Sequence, residues 1–281
     1  MRFARRLAGR IIGHTEWNLR RTIRSAGGRL PPDRPHIGWI NSVLKTRRQV
    51  DEAVWEVERA GLVPHPDRPK NWDALSAVRT VLERTDRRAR VLEMGARSYS
   101  VLLRWLYQYG YRHLVGIDLV YREPIRRGPI RYEFGDLTRT RFADQSFDVI
   151  CAMSVIEHGV DPLRYFAEAA RLLTPGGLLV TSTDCWKAPV DARGQRAYGV
   201  AIKIFSTDEV AGMIAAAAKF GLRPTSSIDL ECDEPAVTWE RYGLHFTFVC
   251  FALRRETSST IEGEAPVNQV MESDEGSLGD R

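Results

Sequence analysis

The chain has 281 residues, 43% of them hydrophobic and 27% charged, with a formal net charge of +5. That composition belongs to an ordinary globular protein of one large or two small domains, and no apolar run reaches the length of a membrane-spanning helix. Cys151, Cys185, Cys232 and Cys250 are scattered without Cys-x-x-Cys spacing, which argues against a disulfide frame or a zinc site and for reduced thiols in a cytoplasmic protein.

The charge is uneven along the chain. Residues 256–281 hold seven acids and one arginine, a net −6, which leaves +11 on residues 1–255. A basic body suits nucleic acid, a membrane surface or an anionic substrate, and equally an arginine-rich genome. Residues 1–24 hold seven arginines among Phe3, Leu7, Ile11, Ile12 and Trp17. This loosely amphipathic arm reads as a surface helix or loose segment, or as a peripheral membrane contact, and not as a secretory signal. Residues 25–38 read as a Gly/Pro-rich linker.

Two helices are expected next. Val50, Val54, Val57 and Ala60 set the first at about 47–60; Leu75, Val78, Val81 and Leu82 set the second at about 71–85, with Asn71 as its cap. They precede the sheet and either cover a cofactor mouth or pack on its edge. From residue 89 strands and helices alternate. Strands are expected at 90–94, 113–118, 130–134, 147–153 and 178–182. A helix starts at Asp161-Pro162, where aspartate suits the cap and proline the first turn. Residues 183–205 read as irregular. Ser206-Thr207-Asp208-Glu209 is a capping-box pattern opening a helix that ends at Gly221. Strands at about 223–231 and 244–253 have no room between them for a crossover helix and form an antiparallel pair. The acidic, Ser/Gly-rich residues 256–281 read as disordered.

The predicted fold class is α/β: a Rossmann-like, doubly wound seven-stranded sheet whose last strand is antiparallel, preceded by N-terminal helices. The expected organisation is a basic arm, linker and helices over 1–88, the main domain over 89–255, and the tail over 256–281. Four landmarks carry a resemblance. They are VLEMG at 91–95; Asp118, closing a strand 23 residues after Gly95; Gly135-Asp136-Leu137; and SFDVICAMSVIEHGVDPLRYFAEAARLLTPGGLLVTS. In this order the chain resembles the class I S-adenosylmethionine-dependent methyltransferases, in particular the small-molecule, methyltransferase type 11-like branch. The resemblance covers roughly residues 89–254 and implies S-adenosyl-L-methionine as cofactor.

On that resemblance, Asp118 accepts the ribose hydroxyls, and Asp136 with the Leu137 backbone holds the adenine edge. Glu93 sets the first loop or reaches the cofactor's amino group, Gly95 and Ala96 bring backbone close to the cofactor, and Ser154 and Val155 line its methionine side. The family loop reads G-x-G-x-G, whereas here only Gly95 of Gly95-Ala96-Arg97-Ser98-Tyr99 is a glycine. Arg97 is expected either to meet the cofactor's carboxylate or to face solvent. An Asx turn is the other reading of Asp136.

Methyl transfer from a sulfonium is an in-line displacement, so alignment and removal of the acceptor's proton are what a protein adds. His158, just past the 147–153 strand, is the expected base, with Glu157 beside it. The Glu157-His158 pair with Asp184 would be an incomplete version of a related metal-binding turn, and no metal is expected. Trp186, Tyr198, Trp239, Tyr242, Arg193, Arg196 and Arg241 are expected on the acceptor wall. The preferred reading is O-methylation of a small-molecule, sugar or glycolipid-type hydroxyl, without nucleic acid as partner. An RNA methyltransferase and a non-catalytic regulator with a cofactor fold remain the alternatives.

Overall fold

The computed structural model describes residues 34–257 except Ser98 and Tyr198. The arm, the start of the linker and nearly all of the tail lie outside them. Among the described residues no helix is long and apolar enough to cross a membrane.

The sheet is built on five strands. These are β2 (Arg90–Met94), β3 (His113–Asp118), β5 (Ile130–Phe134), β6 (Phe147–Met153) and β7 (Leu173–Trp186), and they run parallel in the order β5-β3-β2-β6-β7. β13 (Leu244–Arg255) follows β7 antiparallel, with Phe248 opposite Asp184 and Cys250 opposite Ser182. At the far edge β4 (Ile125–Arg127) makes a hairpin with β5. Central strands buried on both faces need apolar residues at nearly every position. VLEM and FDVICAM meet that demand, and their bounds match those expected.

Burial sorts the strand residues into two layers. Val91, Leu114, Val149, Leu178, Val180 and Cys250 pack under α1 (Arg47–Arg59), α2 (Lys70–Arg84) and α3 (Leu102–Gln108). Leu92, Ile117, Ile150, Leu179 and Phe251 pack under α4 (Pro162–Leu172) and α5 (Thr207–Ala217). Each fully buried aliphatic side chain contributes about 1.5–3 kcal/mol, so both layers hold the sheet firmly. α2 is buried on nearly every side, with Trp72, Leu75, Val78 and Val81 at zero exposure. It is therefore a core element rather than a surface cover.

The caps follow local chemistry. Asp161 accepts from the Leu163 and Arg164 amides at 2.9 and 3.4 Å, with Pro162 in the first turn. Ser206 and Glu209 close the capping box of α5. Asp161→Ala should cost about 1 kcal/mol in urea denaturation, with Asp161→Asn near neutral. Asn71 does not cap α2, because Pro69 holds that position. Its amide instead closes the preceding loop, accepting from the His65 amide at 2.7 Å and donating to the His65 and Arg68 carbonyls.

The outer edge of β13 departs most from expectation. The strand expected at 223–231 is only β11 (Leu222–Pro224), which pairs with Leu253–Arg255. The edge beyond it is taken by β1 (Ser42–Val43) against Val249–Cys250, then by β12 (Val237–Trp239) against Leu244–Phe246. Asn41, in the left-handed region at φ 52°, fills the gap between β11 and β1. Its Oδ1 accepts from the Ala252 amide at 2.8 Å, and its Nδ2 donates to the Thr225 and Ser226 hydroxyls. Three short strands and one side chain thus cover an edge that would otherwise invite pairing with another chain.

Candidate active site

The carboxyl ends of the parallel strands form one edge, and the predicted site residues collect there. Ligands of open α/β sheets bind at that edge. Gly95 follows β2 at φ +78°, and a Cβ added to it would lie 2.3 Å from Val155 Cγ2. The turns after β2 and β6 therefore interlock. The Gly95 and Ala96 amides both donate to the Ile117 carbonyl, at 2.8 and 2.9 Å.

A loop short of glycines is held by side chains instead. Tyr121 donates through its hydroxyl to the Ala96 carbonyl at 2.7 Å. Buried Arg104 donates through Nε to the Ser100 carbonyl at 2.6 Å, and Ser100 donates through its hydroxyl to Glu93 Oε1. Among the described residues, Glu93 Oε2 is buried without a hydrogen-bond partner. Burial pushes the Glu93 carboxyl up to about 7, although the Ser100 bond and the Arg104 charge pull the other way. Sequence reasoning missed Tyr121, which acts across the fold, and Arg104, which acts four residues back on the loop it follows.

Asp118 ends β3 and accepts from the Val120 amide at 3.0 Å. Arg97 does not point away from this acid: its Nη1 lies 4.0 Å from Asp118 Oδ1. Arg97 was expected to meet a cofactor carboxylate or to face solvent; its side chain is 43% exposed and makes a loose pair with the strand-end acid. Asp136 Oδ1 accepts from both the amide and the hydroxyl of Thr138, at 2.8 and 2.7 Å, which is the Asx-turn geometry. Leu137 is buried beside it. Phe134, opposite Asp118 in the ladder, is 54% exposed, and Leu119 is 66% exposed. Two large apolar side chains thus stand in water beside Asp118 and Asp136. Neither was singled out from sequence, since a strand-end phenylalanine reads as core.

The turn after β6 completes the edge. Ser154 sits at φ 50°, and its amide donates to the Ser182 hydroxyl at 3.0 Å. Asp73, from α2, accepts from the Ser182 hydroxyl at 2.8 Å and more weakly from that of Ser154 at 3.4 Å. Burial raises the Asp73 carboxyl above its ordinary range, while Lys70 and Ser182 draw it down. Glu157 is buried and accepts from the Thr183 hydroxyl at 2.9 Å. His158 is half-buried, its amide donating to the Val155 carbonyl at 3.0 Å. Asp184 and Trp186 lie further along β7, beyond the end of β6. Trp239 and Tyr242 stack edge-on, with centroids 4.6 Å apart, and the Tyr242 hydroxyl donates to the Arg196 carbonyl at 3.2 Å. Arg193 and Arg241 are on the surface, and Tyr198 lies outside the described residues. Among the described residues no three His, Cys, Asp or Glu side chains converge as a cation site.

Comparison with known proteins gives this arrangement a family. A methyltransferase-domain family model matches residues 67–226, more than half of the chain. The ubiquinone biosynthesis O-methyltransferase of Cereibacter sphaeroides (strain ATCC 17025) is 51% identical over 41 residues, 15% of this chain and 17% of that relative. An uncharacterized methyltransferase of Mycobacterium sp. (strain JLS) is 38% identical over 79 residues, 27% of this chain and 31% of that one. The matched segments thus span less than a third of these relatives. Among solved structures, a Galdieria sulphuraria chain assigned as a sarcosine dimethylglycine methyltransferase superposes with a TM-score of 0.51 at 16% identity, over 72% of this chain and 88% of that one. The (4+2)-cyclase SpnF superposes with a TM-score of 0.50 at 19% identity, over 63% and 80%. With its parallel sheet, antiparallel final strand and acids at successive strand ends, the chain belongs to the class I S-adenosylmethionine-dependent methyltransferases, whose cofactor is S-adenosyl-L-methionine.

Proposed function

We propose that this chain transfers a methyl group from S-adenosylmethionine to a hydroxyl of a small-molecule, sugar or glycolipid-type acceptor. The observation that carries the cofactor assignment is the row of acids on three adjacent strands. Glu93 is on β2, Asp118 ends β3, and Asp136 follows β5. The cofactor presents an ammonium, a ribose diol and an adenine in that order, and the residues fit it. The unpartnered Glu93 Oε2 suits the ammonium, Asp118 the diol, and Leu119 with Phe134 the faces of the adenine. Asp136 and the Leu137 backbone would take the ring edge. Gly95 and Ala96 would pass beneath by backbone, and Ser154 and Val155 would line the methionine stem.

Bound there, the cofactor supplies a methyl group on a sulfonium that is already a good leaving group. The protein's own task is to hold the acceptor in line and to remove its proton. His158, half-buried in the turn after β6, would hold that proton. Glu157, bonded to Thr183 on β7, fixes the same turn. A hydroxyl acceptor is supported by this base and by the polar side chains around it.

Calorimetry with S-adenosylmethionine and S-adenosylhomocysteine tests the reading. Saturable binding is expected for the wild-type chain. Asp118→Ala should weaken it about 10- to 100-fold, the loss of hydrogen bonds to a charged acceptor. No heat with either ligand at high micromolar concentration would remove the enzyme reading and leave a scaffold.

A further inference from the structure

At the acceptor end, two charged side chains carry hydrogen-bonding capacity that the fold does not use. Lys70 opens α2 with its side chain 23% exposed. Its ammonium lies 4.0 Å from Asp73 Oδ2 and 4.0 Å above the Phe248 ring centre, and it donates no hydrogen bond to any described residue. Asp184 is only 6% exposed and accepts no hydrogen bond from any described residue. Asp73 is different: its oxygens are occupied by Ser182, Ser154 and the Ala74 amide. The oxygens of Asp73 are thus accounted for by the fold, and the free donors of Lys70 and acceptors of Asp184 are not.

Position gives the pair a purpose. Ser182, Asp184 and Trp186 alternate onto one face of β7, the face under α2. Ser182 stands opposite Met153, the last residue of β6, so Asp184 and Trp186 overhang the turn that carries Ser154 and His158. Lys70 reaches the same place from α2, over Phe248, which is the ladder partner of Asp184. Its pKa stays raised because Asp73, Asp184 and Glu157 outweigh the burial that would lower it. Polar groups drawn out of water are costly while their donors and acceptors stay unsatisfied. A ligand group that both accepts and donates would satisfy them, and a hydroxyl does both.

We propose that Lys70 and Asp184 form a two-point clamp for a ring bearing two neighbouring hydroxyls, with the ring against Trp186. Lys70 donates to one hydroxyl oxygen, and Asp184 accepts from the other hydroxyl. The clamp deepens the methyl-transfer reading and rests on it. Two sources of this chemistry are a catechol-type aromatic and a sugar with a vicinal diol.

Saturation-transfer-difference NMR on the full chain tests the clamp. The probes are catechol and methyl α-D-mannopyranoside, with phenol as the single-hydroxyl control, each with and without S-adenosylhomocysteine. At least one diol should bind more tightly than phenol, and which diol does so identifies the source. Lys70→Met and Asp184→Ala should each weaken that binding about tenfold or more, with the affinity for S-adenosylhomocysteine held within about twofold. Asp184→Leu, of similar size and without an acceptor, replaces the alanine variant if that one fails to fold. No diol signal, phenol binding as well as either diol, or diol affinity unchanged in the variants would each overturn the clamp. Wild-type chain that ignores S-adenosylhomocysteine overturns the methyl-transfer reading instead, a result read separately by calorimetry.

Discussion

Gly95→Ala should lower the unfolding free energy by about 2–5 kcal/mol and abolish measurable cofactor binding. Two costs add. A non-glycine residue at φ +78° pays about 1–2 kcal/mol for the left-handed backbone. The new methyl group would sit 2.3 Å from Val155 Cγ2, 3.0 Å from Cγ1 and 3.2 Å from Cβ, and overpacking of that kind costs about 1–3 kcal/mol. Relief by backbone movement is limited, because the Gly95 and Ala96 amides are both tied to the Ile117 carbonyl. Adding Val155→Ala should recover most of the steric cost and none of the backbone cost. Urea denaturation of the four members of that cycle measures the split. A Gly95→Ala chain with wild-type stability and cofactor affinity would mean that the β2 and β6 turns do not interlock as described.

Glu93 should take stability away as pH rises from about 4.5 to 7, while His65, held down to about 4 by burial, works the other way between about 4 and 6.5. The folded Glu93 carboxyl sits at about 7, above the ordinary 4.5, chiefly through burial. In that window it keeps a proton that the unfolded chain has released, so its contribution to the slope of unfolding free energy against pH is negative. Integrated over the window, the loss is on the order of 3 kcal/mol. Asp73 and Asp184, also raised by burial, push in the same direction. Glu93→Gln isolates the Glu93 share: it should remove that loss and make the chain more stable than wild type at pH 8. Denaturation midpoints at pH 5, 6, 7 and 8 decide this. If the cofactor's ammonium meets Glu93 Oε2, binding near pH 6.5 should also release a proton from wild type and none from Glu93→Gln. Calorimetry in buffers of different ionisation enthalpy reads that proton directly.

Local chemistry made much of the fold legible. β2, β3 and β5 are short strands closed by glycine or an acid, β6 is a longer apolar run, and their bounds were readable because no tertiary partner was needed to define them. Asp161-Pro162 and Ser206-to-Glu209 announced two helix starts, since a cap is satisfied within four residues. The strand-end positions of Glu93, Asp118 and Asp136 followed from the same runs. β7 was expected only over 178–182, short at both ends, because Thr174 to Gly177 reads as a helix stop and the polar run Thr181-Ser182-Thr183-Asp184 as a strand giving way to loop after Ser182. In the sheet those polar residues have partners at a distance: Asp73 for Ser182, Glu157 for Thr183 and Tyr165 for Thr181.

By itself, then, the sequence determined the alternating core, the row of acids along one sheet edge, and the family those features belong to. Periodicity and strand-end chemistry are local, and they survive without coordinates. Only the tertiary structure decided what surrounds that edge. β1 is two residues that become a strand solely because β13 offers an open ladder. The expected strand at 223–231 shrinks to Leu222–Pro224 because Asn41 and β1 compete for the same edge. Arg97 lies near Asp118, and Lys70 and Asp73 reach the turn after β6 from a helix placed before the sheet in the chain. Those outcomes rest on long-range competition for hydrogen bonds and buried charge, which no local pattern encodes.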